Sequence, residues 1–533
     1  MKNLYHSAIA KEKYDAIIIG SGLGGLTTAV FLAKAGKKVL VLEQHYAIGG
    51  FTHTFKRKDF EWDVGVHYVG QVHNDDNLLR KAFNYITDGA LKWEKMDDVY
   101  DRAIIGDKKY EFVSGRQRQI DKMIAYFPKE EAAIRKYYKE VEEISGASVM
   151  FFSERTMPVW LSNITGRLLR RKFLRYARMT TVEYLNSITT NKEMIAVLCA
   201  QCGNYGLPPA KSSFAVHAMI IDHFLEGGNY PVGGAASIHR TVTAVLEKNK
   251  GVVAINARVK EILVLNGKAV GVLMENGDEI FGSTIISNAG IHNTYNKLLK
   301  SAAVSPELIA DVNSILPSVG HACLYIGLSK TDAELGLPTN NYWMYDNHLI
   351  DDSFDWHLDH KFSHSPLTYI SFPSAKDPSW PARHPGKATI QVICSLPYEW
   401  VQEWENEKWK KRGEEYEAVK QKITDHLLEQ LYRVVPQVKE HISIAELSTP
   451  VSTRHFSNYP AGEIYGLEHS PKRFESRYLR TRTKIPGLFL TGQDTVCVGI
   501  GSVLFAGIIT SVAILNRNVL MRINRYNKLK GKN

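Results

Sequence analysis

Cysteine is scarce in this chain of 533 residues, which contains only five. Five scattered cysteines cannot build a disulfide framework, and such usage favours a reducing compartment. Cys199 and Cys202 form a C-x-x-C pair, but no second pair and no histidine pair completes a zinc pattern. We interpret these two thiols as core residues, with a redox-active pair as the alternative. We expect no metal site.

Long apolar runs are also lacking. The best candidate, residues 503–515, offers about 13 residues where a bilayer crossing needs about 20. The N-terminal residues are polar and show no secretory signal. The sequence therefore predicts a cytoplasmic protein, and it leaves peripheral attachment to a membrane surface open.

The remaining composition is that of a globular protein, with 44% hydrophobic and 23% charged residues. The net charge of +10 favours an anionic partner, which could be a membrane surface, a nucleic acid or a cofactor. Basic and aromatic residues are not interleaved as in a nucleic-acid module. We therefore expect no nucleic-acid partner.

A glycine-rich turn is the strongest positive signal. Residues 16–19 read as a short buried strand, and residues 20–25 then satisfy G-x-G-x-x-G. A helix follows, and residues 39–42 read as a second buried strand with Glu43 at its carboxyl end. In this order, the turn approaches a pyrophosphate and the helix N-terminus faces it. The acid then accepts a hydrogen bond from a ribose hydroxyl. The alternative is a glycine-rich turn in another βα unit.

The order of predicted elements implies two discontinuous domains. Strands are predicted at 259–265, 269–275, 280–287 and 487–492, and a final helix at 499–515. We assign residues 1–76, 231–295 and 481–533 to a cofactor domain. Residues 77–230, which read as mostly helical, and 296–480 are assigned to a substrate domain.

Several motifs together carry a family resemblance. The chain resembles the FAD-dependent superfamily of phytoene desaturases, carotenoid isomerases and retinol saturases, and within it the retinol saturase branch. The motifs that carry the resemblance are residues 20–43, 49–55, 62–70, 459–466, 490–494 and 499–501. Phe51 is a departure, because amine oxidases and desaturases usually have arginine there. The resemblance implies an α/β fold: a Rossmann-type FAD-binding domain, as in glutathione reductase and amine oxidases, with an interwoven α+β substrate domain.

The resemblance also implies roles for individual residues. The glycine turn would hold the FAD pyrophosphate and Glu43 the adenosine ribose, while Asp494 would bind the ribityl chain or the pyrophosphate. The backbone of Val259 would meet adenine. The implied cofactor-binding residues are Gly20, Ser21, Gly22, Leu23, Gly24, Gly25, Glu43, Gly49, Gly50, Val259, Gly492, Asp494, Gly501, Ser502 and Val503. The last three would present helix N–H groups to the flavin, although Gly499 and Gly501 could instead serve close packing.

By the same resemblance, the reaction changes a carbon–carbon double bond of an apolar polyene, a retinoid or carotenoid. Saturation is the main expectation, and desaturation and cis–trans isomerisation are alternatives. A flavin-binding interaction protein without turnover is the alternative from another class. NAD(P) is a candidate electron donor. Saturation also needs a proton donor, and the candidates by residue type are His67, Tyr68, His455 and Glu463, each of which could equally be structural.

A basic stretch at residues 167–178 contains six arginines and lysines and no acid. At helical spacing, Leu169, Phe173 and Tyr176 fall on one stripe and most of the basic residues fall opposite. This pattern is typical of an interfacial helix on a membrane, and equally of an ordinary helix with a solvated basic face. We also expect an apolar channel lined by aromatics between Tyr342 and Trp400 and by the helices before Tyr230.

Overall fold

The structure is a computed structural model, and it describes residues 3–351, 362 and 367–530. Residues 531–533 of the last predicted cofactor segment therefore lie outside the described residues. The strands are β1 (Tyr14–Ile19), β2 (Val39–Leu42), β3 (Thr54–Arg57), β4 (Phe60–Asp63), β5 (Trp93–Lys95), β6 (Val99–Ile105), β7 (Lys108–Val113), β8 (Asn229–Pro231), β9 (Val252–Ala254), β10 (Val259–Leu265), β11 (Lys268–Met274), β12 (Glu279–Ser287), β13 (His321–Leu328), β14 (Asn341–Tyr345), β15 (Leu367–Ser371), β16 (Ala388–Ser395), β17 (Ile442–Ser448) and β18 (Leu488–Leu490).

The helices lie between these strands and at the carboxyl end of the chain. They are α1 (Leu23–Ala33), α2 (Leu78–Ile86), α3 (Arg116–Tyr126), α4 (Glu131–Glu154), α5 (Val159–Ala177), α6 (Thr181–Asn186), α7 (Lys192–Cys199), α8 (Phe214–Phe224), α9 (Ala236–Lys248), α10 (Ile291–Asn293), α11 (Pro306–Asn313), α12 (Asp332–Leu335), α13 (Pro373–Lys376), α14 (Trp380–Arg383), α15 (Gly413–Val434), α16 (Pro450–Ser457), α17 (Pro471–Glu475), α18 (Ile500–Leu515) and α19 (Val519–Lys530).

The first sheet contains the predicted βαβ unit. Strands β18, β12, β1, β2 and β9 pair in parallel, and β10 and β11 extend the amino-terminal half of β12 as an antiparallel hairpin. Helix α1 is buried along its whole length and packs against α9 and α18. The carboxyl ends of β1, β2 and β12 therefore meet at one edge, where ligands bind in open parallel sheets. The predicted Rossmann-type arrangement is confirmed.

The second sheet forms the other domain. Its strand order is β17-β13-β16-β15-β14-β6-β7, antiparallel except for the parallel pair β14 and β6. Helix α15 packs on one face of this sheet against β15 and β16, and Ile423, Leu427 and Leu431 join the core on that face. Strands β6 and β7 lie within the segment that the sequence describes as mostly helical. They form a hairpin through the two-residue turn Gly106-Asp107, in which Gly106 has a φ of +59°.

The two domains exchange more chain segments than the predicted boundaries include. Helix α2, which the sequence places in the substrate domain, packs in one core with α1 and α9 because Leu79 and Phe83 face that core. Conversely, Trp62 lies in the predicted cofactor segment but packs against Tyr325 of the second sheet. The hairpin β3–β4 therefore packs on the second sheet, although the sequence assigns it to the cofactor domain.

The basic segment is helical, as expected, but its apolar stripe does not face outward. Phe173 and Tyr176 are buried between α4, α6 and α8, and Phe173 stacks on Phe151 with ring centroids 4.3 Å apart. These two residues are core and cannot be the membrane-facing side of an interfacial helix. Helical periodicity locates an apolar face but does not reveal what covers it. The exposed side of α5 carries other apolar residues, described below.

This correction has a stability consequence. We expect Phe173→Ala to cost about 3–5 kcal/mol of folding free energy, because it empties a fully buried aromatic site. Leu168→Ala on the same helix should change stability by no more than about 0.5 kcal/mol, because Leu168 is 77% exposed. Urea unfolding of both variants measures the difference. Equal effects would contradict the assignment of Phe173 to the core.

Within the part of the chain that the structure describes, no helix is by itself both long and apolar enough to cross a bilayer. Helices α18 and α19 reach the required length and apolar content only when they are taken together, and the chain bends by 116° between them. Helix α19 occupies the basic tail that the sequence left without structure, and its apolar residues Val519 and Ile523 pack against the α2 region.

Candidate functional site

One large cavity of about 1360 Å³ connects the two domains. It begins at the carboxyl edge of the first sheet, where Gly20, Gly22 and Glu43 line it. It continues past the start of α18 and along the second sheet to Trp343 and Tyr369. The dinucleotide motif and the substrate domain therefore share a single space.

The glycine turn approaches its neighbours too closely for larger residues. Gly20 has a φ of +96°, which favours glycine. A Cβ on Gly25 would lie 2.5 Å from the carbonyl oxygen of Gly20, and a Cβ on Gly22 would lie 2.8 Å from Asn288 Nδ2. Gly24 packs as closely on Gly492, at 3.0 Å from a Cβ to the backbone. The turn, with Leu23 at the start of α1, thus leaves its backbone facing the cavity.

Glu43 is held at the end of β2 by its neighbours. Its Oε2 accepts hydrogen bonds from the Ser21 N–H at 2.8 Å and the Ser21 hydroxyl at 2.7 Å. Its Oε1 accepts from the His45 N–H at 2.8 Å. The Gly49 N–H in turn donates to the Ser21 Oγ at 3.0 Å, which draws the second glycine pair to the turn. These bonds fix the carboxylate at the cavity wall, where it can accept a hydrogen bond from a ribose hydroxyl.

The remaining implied cofactor residues also reach the cavity. Val259 begins β10 and lines the cavity close to the Glu43 edge, and Gly50 lies with its Cα facing Gly22. Gly492 and Asp494 follow β18. Asp494 accepts hydrogen bonds from the backbone N–H groups of Ile291 at 2.8 Å and Leu467 at 2.9 Å, so it also ties two loops together.

The start of α18 supplies unpaired backbone donors. Gly499 precedes the helix, and Gly501, Ser502 and Val503 of its first turn all line the cavity. The Val503 N–H donates to the Gly499 carbonyl at 3.0 Å, so the expectation that it is a free donor is wrong, and of these three residues Gly501 and Ser502 keep that role. The first N–H groups of a helix lack intrahelical partners and attract negative charge. This position matches the implied contact with the flavin, where charge develops on reduction.

The residues present therefore fit FAD. A long dinucleotide needs a backbone cradle without side chains, an acid for the ribose and helix donors at the flavin end. The glycine turn, Glu43 and the first turn of α18 provide these in that order along one cavity. Individual contacts with FAD stay predictions.

Asn288 is a site residue that the sequence did not identify. It follows β12, and its side chain lies within 4 Å of the Cβ positions of Gly20, Gly22, Gly24, Gly25 and Gly492. Its amide thus forms the floor between the two glycine motifs. The available signal was its place at the carboxyl end of the strand next to β1.

Among the proton-donor candidates, Tyr68 has the most specific surroundings. It lines the cavity, and its hydroxyl donates to Asp101 Oδ2 at 2.9 Å and accepts from Asn204 Nδ2 at 3.0 Å. Asp101 is fully buried and also accepts from Gln201, Asn341 and Trp343. Burial raises the pKa of Asp101 although these donors oppose it. Tyr68 is thus a cavity hydroxyl backed by a buried acid.

A buried lysine completes this network. Lys376 Nζ donates to the Ser371 hydroxyl at 2.7 Å, to the His67 carbonyl at 3.1 Å and to Asn341, which bridges it to Asp101. Burial lowers the pKa of Lys376 to about 7, and the nearby Asp101 opposes that shift. Neither Asp101 nor Lys376 was identified from the sequence, because they meet only through strand pairing of β6 with β14.

The other candidates are less well placed. His67 lines the cavity beside Tyr369, but burial lowers its pKa to about 3, so it is neutral at ordinary pH. His455 is exposed on α16, stacks on Trp409 and lies outside the cavity lining. Glu463 is buried behind the wall, where burial raises its pKa to about 7. The structure therefore brings His67 and Tyr68 to the site and leaves His455 and Glu463 off it.

The far arm of the cavity is mainly apolar. The helices before Tyr230 line it, as expected, with Phe152, Met219, Ile220 and Phe224. Among the described aromatics of the middle region, Trp343 and Tyr369 reach it, while Phe354 and Trp356 lie outside the described residues. Tyr342, Phe372, Trp380 and Trp400 lie elsewhere, in or beside the core of the second sheet and its helices. Alternation along β14 explains this, because neighbouring residues face opposite sides.

Comparison with known proteins agrees with this architecture. The fold and site define an amine-oxidase-type FAD-binding α/β protein. Cyclohexylamine oxidase from Brevibacterium oxydans has a similar structure, with a TM-score of 0.59 over 95% of this chain and 100% of that one, at 14% identity.

Sequence comparison gives the family. The model of the flavin containing amine oxidoreductases matches residues 23–515, and the chain belongs to that family. An all-trans-retinol 13,14-reductase from Danio rerio is 36% identical over 97% of this chain and 89% of its own length. A chloroplastic prolycopene isomerase from an Oncidium hybrid is 26% identical over 93% of this chain and 83% of its own.

Proposed function

We propose that this chain binds FAD and uses it to reduce a carbon–carbon double bond of an apolar polyene, a retinoid or carotenoid. The observation that carries the proposal is the single cavity that joins the glycine turn to an apolar arm. The similarity to a retinol 13,14-reductase over nearly the whole chain favours this substrate class. An elongated apolar ligand also suits an arm lined by Phe152, Met219 and Phe224.

Saturation requires a hydride on one alkene carbon and a proton on its neighbour. Reduced FAD supplies the hydride when bound. We assign the proton to Tyr68, which lines the cavity and whose hydroxyl hydrogen-bonds to the buried acid Asp101. The O–H bond of Tyr68 breaks as the new C–H bond forms, and the resulting phenolate takes up a proton from water once the product has left.

The surroundings of Tyr68 suit this step. Asn204 donates to its oxygen and Lys376 lies 5.9 Å from its ring, so both stabilise negative charge that develops there. Burial raises the pKa of Tyr68 well above its ordinary value. A weak acid is adequate here because hydride addition leaves strongly basic carbanion character on the neighbouring carbon.

Product analysis tests the proposal. Purified protein would be reduced anaerobically with dithionite and mixed with all-trans-retinol or prolycopene, and the products weighed by mass spectrometry. We expect a product that gains a hydrogen pair. An unchanged mass with a new isomer would indicate isomerisation, and loss of a hydrogen pair would indicate desaturation.

The same assay addresses the electron donor and the non-enzymatic alternative. NADH or NADPH in place of dithionite would test a nicotinamide as donor. Protein that holds FAD but converts neither polyene under any of these conditions would contradict the proposal and favour a flavin-binding protein without turnover.

A further inference from the structure

The exposed side of helix α5 carries a row of large apolar residues. Trp160 is 66% exposed, Ile164 73% and Leu168 77%. Their spacing of four residues places them on one side of the helix. Single exposed hydrophobic residues are ordinary, but a continuous row marks an interaction surface. This row lies on the side opposite to Phe173, which is in the core.

Helix α4 extends this surface. Helices α4 and α5 form an antiparallel hairpin, so the carboxyl end of α4 lies beside the amino-terminal half of α5. Val149 and Met150 are both more than half exposed there. We call these five residues, Val149, Met150, Trp160, Ile164 and Leu168, the apolar face.

The apolar face adjoins an opening of the cavity. Val149 and Thr156 of this hairpin region line the cavity, as do Asn516 and Leu520 at the joint of α18 and α19. Val149, Asn516 and Leu520 are also exposed to solvent, so the cavity reaches the surface between them. Leu520 and its neighbour Met521 continue the apolar surface on the other side of this mouth.

Arg482 holds the two sides of the mouth together. Its Nε donates to the Thr156 carbonyl at 2.9 Å, and its Nη2 donates to Asn516 Oδ1 at 2.8 Å and to the Ala513 carbonyl. The apolar face and the joint of α18 and α19 are thus one connected rim around the opening.

Basic residues border the same rim. Arg170, Lys172 and Arg178 of α5 are used in ion pairs with Glu154, Glu143 and Glu475. Arg167 lies next to Leu168 on α5, Arg171 and Arg175 continue the exposed side beyond it, and none of the three has an ion pair among the described residues. Residues 517–530 across the mouth contain five basic residues and no acid. The rim is therefore apolar at its centre and positive at both ends.

We propose that this rim docks on an anionic lipid bilayer, with the apolar face in the lipid headgroup layer and the cavity mouth open towards the lipid. Basic side chains at the ends of an apolar surface bind anionic headgroups while the apolar side chains enter the interface. A polyene then passes between bilayer and cavity without crossing water. This route rests on the proposed function, whereas the docking itself does not.

Vesicle flotation tests the docking. We expect the full chain to float with vesicles of phosphatidylcholine and phosphatidylserine at low salt, and less at high salt. The triple variant Trp160→Glu, Ile164→Glu, Leu168→Glu should lose about tenfold or more of this binding. Arg167→Glu, Arg171→Glu, Arg175→Glu should weaken binding to anionic vesicles in the same way.

The matched control introduces the same three glutamates at exposed apolar residues away from the rim. Leu265→Glu, Phe281→Glu and Leu316→Glu change residues of comparable exposure in the first domain and near its edge, and should leave flotation unchanged. Wild-type protein that fails to float at low salt, or a Trp160 triple variant that floats equally well, overturns the proposal. Dimers that this triple variant dissociates, without flotation, would identify the face as an interface between copies of the chain and would also overturn it.

A second measurement separates delivery from chemistry. None of Trp160, Ile164 and Leu168 lines the cavity. The triple variant should therefore match wild-type conversion of retinol in detergent and fall behind when retinol is supplied in vesicles. Equal rates from vesicles overturn the delivery route. If neither protein converts retinol, the proposed reaction is contradicted. The docking proposal is then decided by the flotation result alone.

Discussion

Gly22→Val should yield folded protein that purifies without FAD. The backbone of Gly22 has a φ of −58°, which valine adopts without strain, so the effect is steric. A Cβ there already lies 2.8 Å from Asn288 Nδ2, and Gly22 lines the cavity together with Glu43, so the two γ-methyl groups add bulk to the site. Overpacking of this kind costs typically about 1–3 kcal/mol, so FAD affinity should fall about tenfold to a hundredfold.

The measurement is the flavin absorbance of purified protein and the binding constant for added FAD. Gly146→Val is the matched control, because a Cβ on Gly146 of α4 meets open space and the residue is exposed. The control should retain flavin fully. Equal flavin content in Gly22→Val and wild type would show that the pyrophosphate does not lie on this turn.

The glycine turn also shows how much of the site was predictable. Strand, turn, helix, strand and acid are neighbours in sequence, and local patterns define them. For that reason β1, α1, β2 and Glu43 lie where the sequence predicts them. The later strands β10–β12 were predictable because asparagine–glycine turns punctuate them.

Residues brought together by distant strands were not predictable in this way. Asp101 reaches Tyr68 because β6 pairs with β14, which brings Asn341 and Trp343 to the same carboxylate. No local pattern in residues 99–105 marks that acid. Asn288 escaped notice for a similar reason, since its importance comes from the five glycine positions around it.

The basic helix illustrates a different limit. Periodicity separated the two sides of α5, but it could not tell which apolar side was buried. Phe173 and Tyr176 are covered by α4, α6 and α8, whereas Ile164 and Leu168 are 73% and 77% exposed in the part of the chain that the structure describes. Both sides contain apolar residues, so only tertiary packing distinguishes the core from the candidate docking surface.

Tyr68→Phe should abolish saturation while leaving FAD bound. Phenylalanine preserves the ring, which stacks on Phe224 with centroids 4.2 Å apart, so the cavity keeps its shape. The lost hydroxyl removes the proposed proton donor and leaves Asp101 three of its four hydrogen-bond donors. General acid catalysis typically contributes about 10²–10⁴-fold, and we expect the rate of polyene reduction to fall by that range.

Tyr369→Phe is the control for this change. Tyr369 lines the same cavity, and no hydrogen bond joins its hydroxyl to a carboxylate among the described residues. Its removal should alter the rate by less than about tenfold, because it removes no acid-backed hydroxyl. In deuterated water, wild type and Tyr369→Phe should share a solvent isotope effect on the reduction step.

The position of the transferred proton distinguishes a donor from a structural residue. Product formed in deuterated water carries solvent deuterium at the carbon that does not receive hydride, and if Tyr68 delivers it, that deuterium lies on one face only. Residual product from Tyr68→Phe should then lose its facial preference at that carbon, because water replaces a fixed donor. Full activity of Tyr68→Phe with unchanged stereochemistry would exclude Tyr68 and direct attention to the other polar groups of the cavity, such as His223, whose Nε2 accepts a hydrogen bond from the Gly70 N–H at 2.9 Å and whose ring lies against Gly501.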